Sequence, residues 1–444
     1  MALIKIAFCA LLAGLTVLWL LADTFVPQPF GYFPLRHVLV QYTGVIAMGA
    51  MSVAVVLAAR PKAIEPALGG LDKMYRLHKW LGITALAFGV VHWLWAKGTK
   101  WAVGWGWLTR PARRGGGQSP GALEQLFRGQ RDLAEFLGEW TFYAAAVLIV
   151  LALVRRFPYR LFAKTHTILA ALYLVLVFHT VILLEFRYWL QPVGIVMALM
   201  AAAGTVAAVR VLSRQVGAHR KVTGHIESLT YYPELRVLET TLVMEPGWPG
   251  QQPGQFAFLT SDRNEGAHPY TIASAWDPRE RRITVFTKAL GDHTSRLSER
   301  LKAGDAVTVE GPYGCFTFTD RCKRQIWVGG GIGITPFIAR MKHLARARDQ
   351  QHAIDLFHPT ADFSPSAIDN LQADAQAAHV RLHLLVDARD GRLNGERLRN
   401  TVPDWREASI WFCGPAALGK ALRRDLAAHG MDPGNFHQEL FQMR

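Results

Sequence analysis

RLHKWLGITALAFGVVHWLW (76–95) and AKTHTILAALYLVLVFHTVILL (163–184) are two apolar stretches that each carry a pair of histidines: His78 and His92 in the first, His166 and His179 in the second. The spacings are 14 and 13 residues, about 20 Å along a helix at a rise of roughly 1.5 Å per residue. Both pairs therefore fit within a hydrocarbon core of about 30 Å. Imidazole is costly to bury in lipid without a partner, so histidines here point to function. Only five of the sixteen histidines precede residue 211, and four of them form these pairs.

One reading is two stacked haems, His78 facing His166 across one iron and His92 facing His179 across the other. Two axial imidazoles fill the coordination sphere, which suits electron transfer rather than ligand binding at the metal. The alternative is four histidines hydrogen-bonded to neighbouring helices, which leaves the matched depths unexplained. At about 100° per residue, 14 residues nearly return to one face and 13 do not, so a local irregularity or an oblique haem is expected at the second pair.

The chain has 444 residues, 51% hydrophobic, with a net charge of +15. Long uncharged runs end near residue 210, and the remainder of the chain reads as soluble. Residues 3–22 read as a first membrane helix rather than a signal peptide, because the apolar run is long and no small-x-small cleavage site precedes Asp23. Further spans are expected near 38–59, 77–96, 140–154, 166–184 and 190–209. The 60–79 loop (Arg60, Lys62, Lys73, Arg76, Lys79), the 155–164 loop (Arg155, Arg156, Arg160, Lys164) and the exit of the sixth span (Arg210, Arg214, Arg220, Lys221) should be cytoplasmic by the bias of basic residues. The third and fifth spans then run the same way, which puts His78 and His166 at the inner depth and His92 and His179 at the outer.

The loop from 97 to about 135 breaks that bias with Lys97, Lys100, Arg110, Arg113, Arg114, Arg128 and Arg131. It either attracts an anionic acceptor or rests on lipid headgroups. Arg36 and His37 open the second span at its outer end, as contacts for haem propionates or an acceptor, or as interfacial anchors. The cysteines Cys9, Cys315, Cys322 and Cys413 form no CxxC, so neither a zinc site nor a disulfide framework is indicated. No nucleic-acid-binding motif accompanies the basic charge.

Residues 211–222 read as a polar linker. RVLETTLVM, GQFAFLTS, RRITVFTK and DAVTVEGPYG then mark a small antiparallel barrel. From Arg324, strand–loop–helix alternation (RQIWV, GGGIGIT, PFIARMKHLARA, then AIDLFH, VRLHLLV and SIWFCG) implies a parallel sheet. The expected organisation is an α-helical membrane domain of six spans (1–212), an antiparallel β-barrel domain (213–322) and an α/β nucleotide-binding domain (323–444). GGGIGITP (329–336) lies between strand and helix, where glycines let backbone approach a pyrophosphate and a helix start supplies N–H groups.

HPYTIAS (268–274), KALGDHTSRL (288–297), GPYG (311–314), GGGIGITP, FCGP (412–415) and the tail with Glu439 and Phe441 occur in that order. This series resembles the ferredoxin–NADP reductase superfamily. Behind the histidine-bearing helices, the whole chain resembles the ferric reductase and NADPH oxidase family of transmembrane flavocytochromes, prokaryotic type. The resemblance implies FAD held by His268, Pro269, Tyr270 and Thr271, with Thr271 near the reactive N5. It implies that Lys288, Gly291, His293 and Thr294 take the FAD phosphates, and that Gly330, Gly331, Gly333, Thr335 and Pro336 take NAD(P)H. Cys413, Gly414 and Pro415 would lie near the nicotinamide, and Phe441 would cover the flavin. Thr271, Cys413 and Phe441 are then the catalytic candidates.

NADP-preferring members usually carry an arginine after the strand that ends here in HPTAD (358–362). Arg389 and Arg392 lie further on, and the choice between NADH and NADPH stays open. The resemblance implies electron flow from cytoplasmic NAD(P)H through FAD and two haem b groups across an inner (plasma) membrane. The acceptor is O2, giving superoxide, or else a ferric chelate or a periplasmic partner protein. A transporter or channel with a nucleotide-sensing domain is the non-enzyme alternative, and it gives the paired histidines no role.

Overall fold

A computed structural model describes residues 2–109, 121–154, 156–262, 265–347 and 352–439. The chain divides into two compact units. One holds the residues up to Leu68 with Lys73–Val216; the other holds Gly69–Asp72 and the chain from Gly217 onward.

The first unit contains six helices long and apolar enough to cross a membrane: α1 (Ala2–Leu20), α2 (Tyr32–Ala58), α3 (Leu71–Trp93), α4 (Arg131–Leu153), α5 (Tyr159–Leu183) and α6 (Pro192–Leu212). Side chains such as Val147, Val150, Leu199 and Val206 face outward, as lipid-facing positions should. Inward positions favour small residues, which let helices approach closely. Gly204 is a case in point: a Cβ there would lie 2.0 Å from the Tyr173 hydroxyl, which bonds Ser52 at 2.9 Å.

α4 starts at Arg131, well before the expected position near 140. Its first turns carry Glu135 and Glu139, which pair with Lys100 and Lys97, so the charged turns persist as helix. α3 continues through a π-helical turn, Leu94–Gly98, into Thr99–Gly104. Arg36 caps this irregular stretch, donating to the carbonyls of Trp95 and Ala96 at 3.2 Å each.

The second unit begins with a six-stranded antiparallel sheet of order β4-β3-β6-β1-β2-β5. Its strands are β1 (Lys221–Tyr232), β2 (Val237–Met244), β3 (Phe256–Thr260), β4 (His268–Thr271), β5 (Arg282–Lys288) and β6 (Ala306–Tyr313). The sheet curls until its ends meet: Ile272 bridges Val285, and Ala273 N–H donates to Thr284 O at 2.7 Å. Ile226, Leu242, Ile283, Val307 and Val309 fill the enclosed core. The longest strand, β1, begins inside the expected linker, because KVTGHIESLTYY alternates too weakly to announce itself.

A parallel sheet comes next, in the order β11-β10-β7-β8-β9, from β7 (Arg324–Gly329), β8 (Ala353–Thr360), β9 (Arg381–Val386), β10 (Ala408–Cys413) and β11 (Phe436–Gln438). Its central strands are buried on both faces, hence their unbroken apolar text. Trp327, Leu356 and Trp411 pack on one face with α8 (Thr335–Ala347) and α9 (Pro365–Ala377). Ile326, Phe357, Ile410 and Phe412 pack on the other with α10 (Ala416–Ala428). α7 (Asp292–Ser295) is a single turn after β5.

Candidate functional site

α3 and α5 bring the four membrane histidines together in the expected pairs. The rings of His78 and His166 are 5.8 Å apart between centres, and those of His92 and His179 are 6.3 Å apart. Two metal–nitrogen bonds of about 2 Å, with roughly 1 Å from each nitrogen to its ring centre, give about 6 Å. Nδ1 of His78, His92 and His179 lies 2.8, 2.9 and 2.8 Å from the carbonyls of Ala54, Val40 and Ala134. An N–H donated there fixes the tautomer and leaves Nε2 as a metal-binding lone pair. Among the described residues no group of three or more His, Cys, Asp or Glu converges. Opposed pairs therefore fit iron already held in a macrocycle, not a bare ion.

The expected irregularity at the second pair is absent, since α5 is an unbroken α-helix. The π-helical turn lies on α3 instead, after His92.

A cavity of about 1030 Å³ lies between α2, α3, α4 and α5 at the His92–His179 level, the upper end of the usual ligand-site range. Glycines make this room. A Cβ on Gly138 would fall 1.9 Å from His179 Nδ1, and one on Gly44 would be 3.4 Å from His92. The described cations of the 97–135 loop are matched by acids that the charge count concealed: Lys97 with Glu139, Lys100 and Arg131 with Glu135, and Arg128 with Glu124. Arg110, Arg113 and Arg114 lie outside the described residues. His37 sits 3.1 Å from Glu185 and holds that carboxyl below its ordinary range. The spacings Glu124–Arg128 and Arg131–Glu135, four residues apart on helices, carried this signal in the sequence.

In the parallel sheet, β7 is followed on one side by β8 and β9 and on the other by β10, so the strand order reverses between β7 and β10. Ligands of such sheets bind beyond the strand ends at that point. Two predicted motifs meet there. Gly330 N–H donates to Cys413 O at 2.9 Å, and a Cβ on Gly333 would lie 2.3 Å from the same oxygen. Gly331 takes φ +57, and Gly414 packs its backbone on Gly330. Thr335 and Pro336 open α8 and are buried. Pro415 precedes α10, and a Cβ on Gly330 would approach it to 2.8 Å. Cys413 is fully buried; burial and then the Glu439 carboxylate push its thiol well above the ordinary value. His358 was not foreseen: it is buried, with Nδ1 2.7 Å from Gly329 O, and supports the glycine loop.

His268, Pro269, Tyr270 and Thr271 form β4, paired with Leu259, Phe258, Ala257 and Phe256 of β3. Tyr270 packs on the apolar core of the curled sheet, and burial pushes its hydroxyl up to about 12. Thr271 is buried and its hydroxyl has no hydrogen-bond partner among the described residues. An orphaned donor of this kind fits a flavin heteroatom.

Lys288 ends β5 and makes a 2.6 Å ion pair with Asp362, a partner the sequence did not disclose. Thr294 Oγ1 accepts from the N–H groups of Leu290 and Gly291 at 3.0 and 3.2 Å, shaping the loop into α7. His293 lies in that turn. Of the two arginines that could replace the missing NADP arginine, Arg389 is bonded to Asp390 and Arg392 lies 3.8 Å from Asp387. Phe441 lies outside the described residues.

Residues 43–177 match the ferric reductase like transmembrane component, and residues 228–317 match an FAD-binding domain. Over 202 residues the chain is 29% identical to a flavohemoprotein of Pseudomonas aeruginosa, covering 43% of this chain and 51% of that protein. Over 206 residues it is 29% identical to a glycine betaine monooxygenase reductase subunit of the same species, covering 43% and 56%. The chain spans about half the length of these relatives. Among solved structures, a ferredoxin NADP+ reductase from Neisseria gonorrhoeae is 17% identical with a TM-score of 0.42, over 50% of this chain and 98% of that one. The chain thus joins six helices long and apolar enough to cross a membrane, matching the ferric reductase like transmembrane component, to a segment that matches an FAD-binding domain.

Proposed function

We propose, for a chain with a ferric reductase like transmembrane component and an FAD-binding domain, a path from cytoplasmic NAD(P)H through FAD and two haem b groups to O2 on the far side, yielding superoxide. FAD when bound takes a hydride and releases electrons singly, and bis-histidine haem carries single electrons.

The residues divide that work. Gly330, Gly331, Gly333 and Gly414 carry no Cβ where the loop and the Cys413–Pro415 segment meet, which suits close approach by a pyrophosphate and a nicotinamide. Thr271 supplies the unpartnered hydroxyl at the flavin N5 position. Cys413, packed in the core beneath that segment, stays a neutral thiol. His78 with His166 and His92 with His179 hold the two irons. No side chain needs to move a proton on the membrane leg.

The observation that carries the proposal is the two opposed imidazole pairs, each at a separation that admits one iron. The acceptor assignment is supported by the paired cations: Lys97, Lys100, Arg128 and Arg131 each face a carboxylate, so they offer little attraction to an anionic ferric chelate.

The test is purification of the full chain, an absorption spectrum, and oxygen consumption and ferric-chelate reduction with NADH and with NADPH. A b-type spectrum and acceptor reduction suppressed by superoxide dismutase are expected. Chelate reduction indifferent to superoxide dismutase would reassign the acceptor, and absence of a b-type spectrum would end the haem assignment.

A further inference from the structure

The backs of the four imidazoles are not alike. His78, His92 and His179 each have a backbone carbonyl within 2.9 Å of Nδ1. Nδ1 of His166 is buried and has no hydrogen-bond partner among the described residues. Against that ring lies Phe162, one turn earlier on α5, stacked with 5.0 Å between ring centres and 26° between planes. Phenyl carbon is no substitute for a carbonyl acceptor. The His92–His179 level thus has an acceptor behind both rings, and the His78–His166 level behind only one.

An imidazole that donates its far N–H to a carbonyl becomes a more basic ligand, and a more basic ligand favours oxidised iron. We propose that His166, by lacking that acceptor, makes the His78–His166 site the more readily reduced of the two, so that the site on the acceptor side is the stronger one-electron reductant. The inference rests on the haem reading above. Each site takes up one electron, iron(III) becoming iron(II), with NAD(P)H or added dithionite as the donor.

The experiment is an anaerobic redox titration of the purified full chain, followed in the haem bands. Two one-electron waves are expected, separated by at least about tenfold in electron affinity, or about 59 mV. The upper wave should survive in His92→Leu, which keeps the His78–His166 level, and the lower in His78→Leu. Phe162→Gln sets a side-chain carbonyl one helical turn from His166. It should lower the upper wave alone in the otherwise native protein, so the assignment does not depend on the histidine variants folding. Phe162→Leu, which removes the ring without adding an acceptor, should leave that wave in place. Coincident waves, survival of the lower wave in His92→Leu, or equal shifts in the two Phe162 variants would overturn the proposal. A preparation with no b-type spectrum would instead refute the haem reading beneath it.

Discussion

Gly138→Ala puts the His92–His179 level to its hardest test. The added Cβ would sit 1.9 Å from His179 Nδ1, 2.4 Å from Cε1 and 2.7 Å from Cγ. Ordinary contact starts near 3.4 Å, so the ring must retreat by about 1.5 Å. Axial metal bonds tolerate about 0.2 Å, so one ligand of that site is lost. The hydrogen bond to Ala134 O, 2.8 Å long, goes with it. The backbone of α4 is a poor escape route, because it is fixed by its own helical bonds; overpacking of this kind costs about 1–3 kcal/mol. Haem per flavin, measured by pyridine haemochromogen against FAD absorbance, should fall by about half. Flavin reduction by NAD(P)H should keep its rate. Gly82→Ala is the control: it lies on the same helix as His78, nothing stands within 4 Å of the added Cβ, and the haem complement should be unchanged. A full haem complement with an unaltered spectrum in Gly138→Ala would refute the clamp on His179.

Three further outcomes are expected. His92→Leu should abolish reduction of external acceptors while NAD(P)H still bleaches the flavin; simultaneous loss of flavin bleaching would contradict the division of labour between the two units. Thr271→Val removes one hydroxyl donor and should slow flavin reduction by about 10²-fold in stopped flow, the usual effect of deleting one such donor, with FAD content retained; an unchanged rate would remove Thr271 from the chemistry. Cys413 should resist alkylation at pH 8 in the native protein while exposed Cys315 reacts, since burial and a raised pKa keep Cys413 a thiol. By linkage, the native state holds that proton more tightly than the unfolded chain, so stability falls as pH rises past the ordinary thiol value of about 8.5. Rapid mass-spectrometric labelling of Cys413 would show the burial to be wrong.

Much of the fold was legible because its signals are local. Six apolar runs gave six spans, and alternation of strand and helix text gave the parallel sheet. Boundaries slipped where polar residues were stabilised at a distance: Glu135 and Glu139 extend α4 only because Lys100 and Lys97 stand opposite. β1 hid because its pairing with β2 and β6, not its own composition, makes it a strand. The order of motifs placed the nucleotide loop and the Cys413 segment in one module, but their contact depends on a reversal of strand order that no motif encodes.

The amino-acid sequence by itself determined that four imidazoles would lie in two apolar helices at two depths, because hydropathy and spacing are properties of the chain alone. Which ring faces which, which carbonyl stands behind each of three rings and behind the fourth not at all, and why residue 138 must be glycine were decided only by the tertiary structure. Those relations join residues on different helices, up to 88 positions apart in His78 and His166. Helical periodicity fixes the face a side chain takes, whereas packing between helices chooses what it meets there.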